Sequence, residues 1–262
     1  MTSLAPRAMK SAQDVCALAR RLWGEVPDAD GIVHVTAVWR GPDARLHTLA
    51  IDDQSPKSDY DAFALSFARA SANAIVITGK VLRDEPSLSY SLDALGLPAA
   101  PLSAYRRDTG RAGPPELYVL TSGRGLDPLH PALHGWAHAQ LVTPLDAQLP
   151  DVGRAGLQVE SMAEPSLRAL VERLRAEGAR RVLVEAGPST SRALYEGPLR
   201  VDELLLSIYE GPEPAHLALP LAPGAERLVG RAPPCRPEEG WSFELRRGTG
   251  TSDPMTSPEP TV

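Results

Sequence analysis

The 262-residue chain has only two cysteines, Cys16 and Cys235. Two cannot build a disulfide framework, and without a Cys-x-x-Cys spacing they cannot make a zinc site alone. Both read as reduced, partly buried thiols. Long apolar runs are also missing. Segments such as 74–77 and 204–206 fall far short of the roughly 20 residues that a membrane helix needs. The first fifteen residues hold no apolar core of signal-peptide length, so the expected location is the cytoplasm. Nor is there a basic excess. Lys+Arg 27 against Asp+Glu 33 leaves a formal net charge of −6, which speaks against a nucleic-acid surface and against adhesion to an anionic membrane. Proline (26) and glycine (21) together stay below the roughly 25–30% that signals disorder. No G-x-S-x-G elbow and no Walker loop occurs. His130, His134 and His138 recur every fourth residue, but Pro131 and Gly135 interrupt them, and no carboxylate completes a zinc-protease motif.

What the chain does have is an alternation of helix and strand patterns. Residues 11–23 read as a helix, with Val15, Leu18, Ala19 and Leu22 on one face and Ser11 as N-cap. Residues 32–39 are a β-rich first core strand, and 45–51 resume after Gly41-Pro42-Asp43 as a hairpin partner or paired edge. A helix over 55–72 buries Tyr60, Phe63, Ala64 and Phe67 and leads into the apolar strand 74–79. That βαβ order predicts a mostly parallel twisted sheet with helices on both faces. Residues 87–115 read as a long surface loop. Strands follow at 116–121, 139–143 and 157–160, then a helix over 166–177 closed by Gly178. A strand at 180–184, a helix over 189–196, and strands at 201–208 and 241–246 complete the pattern, the last closing the sheet. One domain is expected over 1–247, with a polar, proline-rich disordered tail at 248–262.

Open α/β sheets bind ligands beyond the carboxyl ends of their strands, and three such ends carry chemistry. At 185–190, Glu185-Ala186-Gly187-Pro188-Ser189-Thr190 reads as an anion cradle or as an ordinary strand–helix turn with a serine cap. Small residues let a diphosphate approach the backbone, and Ser189, Thr190 and Ser191 offer hydroxyls. At 78–86, Thr78-Gly79-Lys80 is followed by Arg83 and Asp84. Here Lys80 or Arg83 suits a phosphate and Asp84 a ribose, against the alternative of a solvated charged turn. At 121–125, Ser122 and Arg124 stand where no acid does. An arginine suits a 2′-phosphate, so this end points to NADPH, with a capped surface turn as the alternative.

Taken together, Arg69-Ala70, Ala74-Ile75, Val81-Leu82, Asp84, Pro86, Leu88, Glu185–Ser189 and Val201–Leu204 resemble the reductase domain of the riboflavin pathway. That family has arginine-alanine before an "ADAI" strand, a "VLADDPxL" loop, an "EAGPT" loop and a "VDEL" strand. The resemblance implies a dihydrofolate-reductase-like α/β fold with an antiparallel C-terminal strand, and NADPH-dependent reduction of a phosphoribosylamino-pyrimidine. It implies cofactor contacts from Gly187 through Ala193, including Pro188, and from Asp84, with Ser122 nearby. It implies substrate contacts from Glu185 and Leu88, and a homodimer. Departures from the family lie at Val38 and Arg40 in place of a serine and an aspartate, Lys80 in place of a threonine, and Ser91 in place of an arginine. The H-x-E and P-C-x-x-C of the deaminase often fused to such reductases are absent. Two functions follow: a stand-alone reductase acting on the family pyrimidine or a related small carbonyl or imine, or a non-catalytic nucleotide-binding or interaction protein on the same fold.

Overall fold

The β-rich run Ile32–Trp39 lies near the middle of a mostly parallel sheet. The computed structural model describes residues 4–248 apart from 53, 112, 151, 154, 197–200, 222–223 and 231. From residue 249 on, the expected tail lies outside the described residues. The strands are β1 (Gly31–Arg40), β2 (Leu46–Leu49), β3 (Ala74–Thr78), β4 (Glu116–Leu120), β5 (His138–Pro144), β6 (Gln158–Met162), β7 (Arg181–Glu185), β8 (Glu203–Tyr209), β9 (Leu217–Pro220), β10 (Val229–Gly230), β11 (Cys235–Glu238) and β12 (Trp241–Arg247). The helices are α1 (Ala12–Trp23), α2 (Asp59–Ser71), α3 (Gly79–Asp84), α4 (Ala99–Asp108), α5 (Leu167–Ala176) and α6 (Pro188–Ser191). The strand order is β10-β12-β8-β1-β7-β3-β4-β5-β6. Strands from β8 through β6 pair in parallel, while β12 runs antiparallel beside β8. The expected hairpin forms between β1 and β2, and β9 pairs with β2. Nothing in the sequence pattern announced β9, β10 or β11.

Local chemistry explains the helix ends. Ser11 accepts a hydrogen bond from the Asp14 N–H, and the Asp14 carboxylate accepts from the Ser11 N–H, a reciprocal cap on α1. The helix expected from residue 55 begins at Asp59, where the Ser58 hydroxyl caps it by accepting from the Tyr60 and Asp61 N–H groups. Gly178 takes φ 97°, which a Cβ would resist, and ends α5. One sheet face packs against α1, α2 and α4 around Phe63, Phe67, Ile75 and Leu102. The other packs against α5 around Leu170, Val184, Leu204 and Leu206. His34, mid-strand on β1, is buried, and that burial lowers its pKa to about 4. Its Nδ1 lies 2.7 Å from the Tyr195 hydroxyl.

The expected surface loop at 87–115 is corrected. It contains α4, and Tyr90, Leu92, Leu97, Leu102 and Tyr105 are all buried. Pro98 and Pro101 at the helix start and Arg106-Arg107 at its end hid the apolar spacing. Arg106 is itself buried and donates to the Ala70 carbonyl at 3.0 Å. Burial lowers its pKa to about 10. Cys16 and Cys235 are free and partly buried, and burial raises both thiols.

At the amino ends of the parallel strands, Arg181 and Glu203 form an ion pair in which each side chain is 1% exposed. Arg181 also donates to the Ser71 hydroxyl at 3.0 Å and the Pro27 carbonyl at 2.8 Å. This one side chain joins β7, β8, the end of α2 and the chain before β1. Arg181→Met leaves Glu203 with Arg247 alone, which donates to its Oε1 at 2.9 Å, and is expected to cost about 1–3 kcal/mol. Denaturant unfolding measures it, and a loss under about 1 kcal/mol would show the pair to be dispensable.

Candidate functional site

Strands β7, β3 and β4 are parallel neighbours, with Ile77 opposite Glu185 and Thr78 opposite Leu120. Their carboxyl ends are therefore level. The turns 185–190, 78–86 and 121–125 leave the sheet side by side, where doubly wound sheets hold ligands. Two of these turns touch directly. Gly79 opens α3 so close to β4's turn that a Cβ would lie 2.4 Å from Thr121 Oγ1. Arg83 Nη1 donates to the Arg124 carbonyl at 3.0 Å.

Glu185 is the best-held group of the region. Its Oε1 accepts from Arg69 Nε at 2.8 Å, and its Oε2 accepts from Arg69 Nη2 at 2.7 Å and the Tyr90 hydroxyl at 2.8 Å. The Arg69 side chain is 5% exposed and that of Glu185 11%. The Arg69 guanidinium also lies over the Tyr90 ring, 4.3 Å from its centroid. Burial works against the charge on Arg69, but Glu185 outweighs it and the guanidinium is held protonated more firmly than usual. Burial, with Glu185 beside it, pushes the Tyr90 hydroxyl well above its usual range. Glu85, at the end of α3, is raised by its own burial and then by Glu185. Its carbonyl is met by His130 Nε2 at 3.0 Å.

The remaining predicted residues fall into two groups. Some are available to a ligand. Ser189, Ser122, Lys80, Asp84 and Arg124 are exposed, and Gly187, Pro188 and Thr190 are partly so. At Gly187 a Cβ would meet nothing within 4 Å. The hydroxyls of Ser189 and Thr190 have no partner among the described residues. Lys80 is not free, because it pairs with Asp84 one turn later. Others are turned inward. Thr78 caps α3 by accepting from the Val81 N–H at 3.4 Å. Ser191 is 1% exposed and its hydroxyl donates to the Pro188 carbonyl. Leu88 is partly buried against the core. The helix expected over 189–196 begins at Pro188, lasts one turn, and continues as a 3-10 turn over Arg192–Leu194. With one turn its dipole is small, so the donors this turn offers an anion are its backbone and hydroxyl groups.

Sequence reasoning missed the burial of Arg69, the role of Tyr90, and Glu85. Arg69 lies near the end of a helix whose second half is buried on nearly every residue, including Ser66, Ala68 and Ser71. A charged residue amid so many small and apolar ones was the only signal. Tyr90 sat inside the segment read as loop. Of the departures, Val38 is fully buried, and Arg40 pairs with Glu244 at 3.0 Å.

No known family profile and no curated protein matches the sequence. Solved structures do. A pyrimidine reductase-like protein from Corynebacterium diphtheriae superposes with TM-score 0.63 at 19% identity, covering 88% of this chain and 98% of that one. The chain has the fold of the riboflavin-pathway reductases. Acinetobacter baumannii RibD gives TM-score 0.61 at 13% identity over 86% of this chain, which spans 60% of RibD's length. The Saccharomyces cerevisiae riboflavin biosynthesis reductase Rib7 gives 0.51 at 13%, covering 88% and 97%. The resemblance read from residues 69–88 and 185–204 falls on one sheet, in which β3 and β7 are neighbours and β1 separates β7 from β8.

Glu85 supplies a pH test. Its folded pKa is raised, so below the unfolded value, near 4.3, both states are protonated and it costs nothing. As pH rises through the raised folded value, the folded state bears a charge it disfavours. Glu85→Gln is therefore expected to raise the melting temperature at pH 7–8, with the gain vanishing below pH 4. A gain that persists at pH 3.5 contradicts this account.

Proposed function

We propose that this protein is an NADPH-dependent reductase of a small molecule, either the pathway pyrimidine carrying a ribosyl group or a related carbonyl or imine compound. The observation that carries the reading is the open turn Glu185–Thr190 set beside the Gly79 and Arg124 turns. Gly187 leaves room for a diphosphate against the backbone, and the hydroxyls of Ser189 and Thr190, without a partner among the described residues, suit its oxygens. The exposed Arg124 guanidinium suits a 2′-phosphate. Bound nicotinamide supplies the hydride, and the protein's task is to hold donor and acceptor in register. Glu185, locked by Arg69 and Tyr90, presents one fixed carboxylate edge at that point. Leu88 supplies an apolar flank. A homodimer is proposed on the resemblance alone.

A second reading is a non-catalytic nucleotide-binding or interaction protein. The packing of Val38 and Arg40 into the scaffold favours it, because these positions then offer no serine or aspartate to a substrate. Turnover separates the two: nucleotide binding without reduction of any candidate substrate supports the second.

Calorimetric titration with NADPH and NADH tests the cofactor. Micromolar NADPH binding with NADH at least about tenfold weaker is expected, and NADPH binding no better than millimolar removes the reading. Gly187→Val is expected to weaken NADPH by at least about tenfold, roughly 1.4 kcal/mol. Its melting temperature should not change, because the position has open space and an ordinary φ of −59°. An unchanged dissociation constant would make the turn structural only.

A further inference from the structure

A cavity of about 480 Å³ opens between the β1–β2 hairpin, β9 and β12, and β9 also packs against α6 after the Glu185 turn. Arg40 and Arg45 from the hairpin and Arg246 from β12 line it. Glu244 is the only carboxylate lining it among the described residues. The register places Glu244 opposite Leu206 and Arg246 opposite Leu204, so these side chains belong to the α5 face, not the α2 face that holds Arg69. Leu46 and Leu221 supply apolar wall. The volume is in the range of small-ligand sites.

The charges do not close on themselves. Glu244 divides its two oxygens, Oε1 accepting from Arg40 Nη2 at 3.0 Å and Oε2 from Arg246 Nε at 2.8 Å. One carboxylate thus serves two guanidiniums. Arg40 Nη1 stands 3.7 Å from Glu210, beyond hydrogen-bond range. Glu210 is itself taken by Arg236 at 3.0 and 3.2 Å. Arg45 is 79% exposed, and its nearest acid, Asp43, is 3.4 Å away. Arg246 Nη1 has no partner among the described residues. Donors from three arginines therefore border one cavity with Glu244 as its one lining carboxylate among the described residues, while Asp43 sits beside Arg45 outside the lining, and guanidinium forks match tetrahedral oxyanions.

We propose that this cavity is a phosphate-binding site, taking either free phosphate or the phosphate of a small organic ester whose body rests on Leu46 and Leu221. Glu244 acts there as a built-in competitor that holds Arg40 and Arg246 apart from the anion.

The test uses the full chain, with inorganic phosphate and phenyl phosphate as probes at constant ionic strength and chloride as reference. Melting temperature and calorimetry are the readouts. Saturable stabilisation by phosphate beyond chloride is expected. Glu244→Gln is expected to tighten phosphate about tenfold by releasing both arginines, and Arg246→Gln to weaken it by at least about tenfold. Because Arg246 lies in β12 between β8 and β10, Arg45→Gln serves as a second variant: it is exposed, should leave the fold unchanged, and should weaken phosphate several-fold. Phenyl phosphate binding tighter than phosphate identifies an ester ligand that uses the apolar wall, and equal affinities identify free phosphate. If wild type and Glu244→Gln respond to phosphate only as to chloride, the arginines serve Glu244 alone and the proposal falls. It falls equally if stabilisation is the same in all three variants, since the anion is then bound elsewhere.

Discussion

The pairing of Arg69 with Glu185 is the contact on which the candidate site rests. Burying a guanidinium and a carboxylate is expensive, and the attraction repays it only with good geometry and further hydrogen bonds. Both conditions are met. The contact is two-pronged, Tyr90 adds a donor to Oε2, and the Tyr90 ring covers the guanidinium face. Through these three residues the last turns of α2, the end of β7 and the segment after α3 are fixed to one another. The turn that follows Glu185 therefore leaves the sheet from a defined point.

This arrangement also narrows what Glu185 does. The resemblance implies a substrate contact there, yet both carboxylate oxygens already accept hydrogen bonds from the chain. Any ligand meets a carboxylate whose orientation is set beforehand, with its charge shared with Arg69. Preorganisation of this kind costs stability in building the site and saves it in binding. The nearby Glu85 has no such hydrogen-bonded cation among the described residues, and burial, with Glu185 beside it, raises its pKa.

At the other end of the sheet, Arg181 and Glu203 form a second buried pair, and Arg181 adds the Ser71 hydroxyl and the Pro27 carbonyl. Ser71 closes the same helix, α2, that carries Arg69. The last turn of α2 is thus held by Arg69 to the carboxyl end of β7 and by the Ser71 hydroxyl to Arg181 at its amino end, with Phe63 and Phe67 packed in the turns before it. Two apolar clusters, one on each sheet face, supply the non-directional burial, while the ionic pairs fix which helix lies where.

The sequence determined the elements whose signals are local. Alternating and continuous apolar runs marked most strands, the Ser11–Asp14 cap and Gly178 marked helix ends, and Glu185-Ala-Gly-Pro marked a turn that a ligand can approach. These signals are short-range because a cap or a strand period is written in neighbouring residues. The tertiary structure decided the rest. It turned residues 99–108 into a helix, because a mate for Leu102 and Tyr105 exists only once α1 and α2 are in place. It made Tyr90 a partner of Glu185 across 95 positions and Arg69 a partner across 116. It turned Ser191 inward and left Ser189 facing solvent. Such contacts depend on which strands are neighbours, and strand order is a property of the whole chain that no local window of sequence contains.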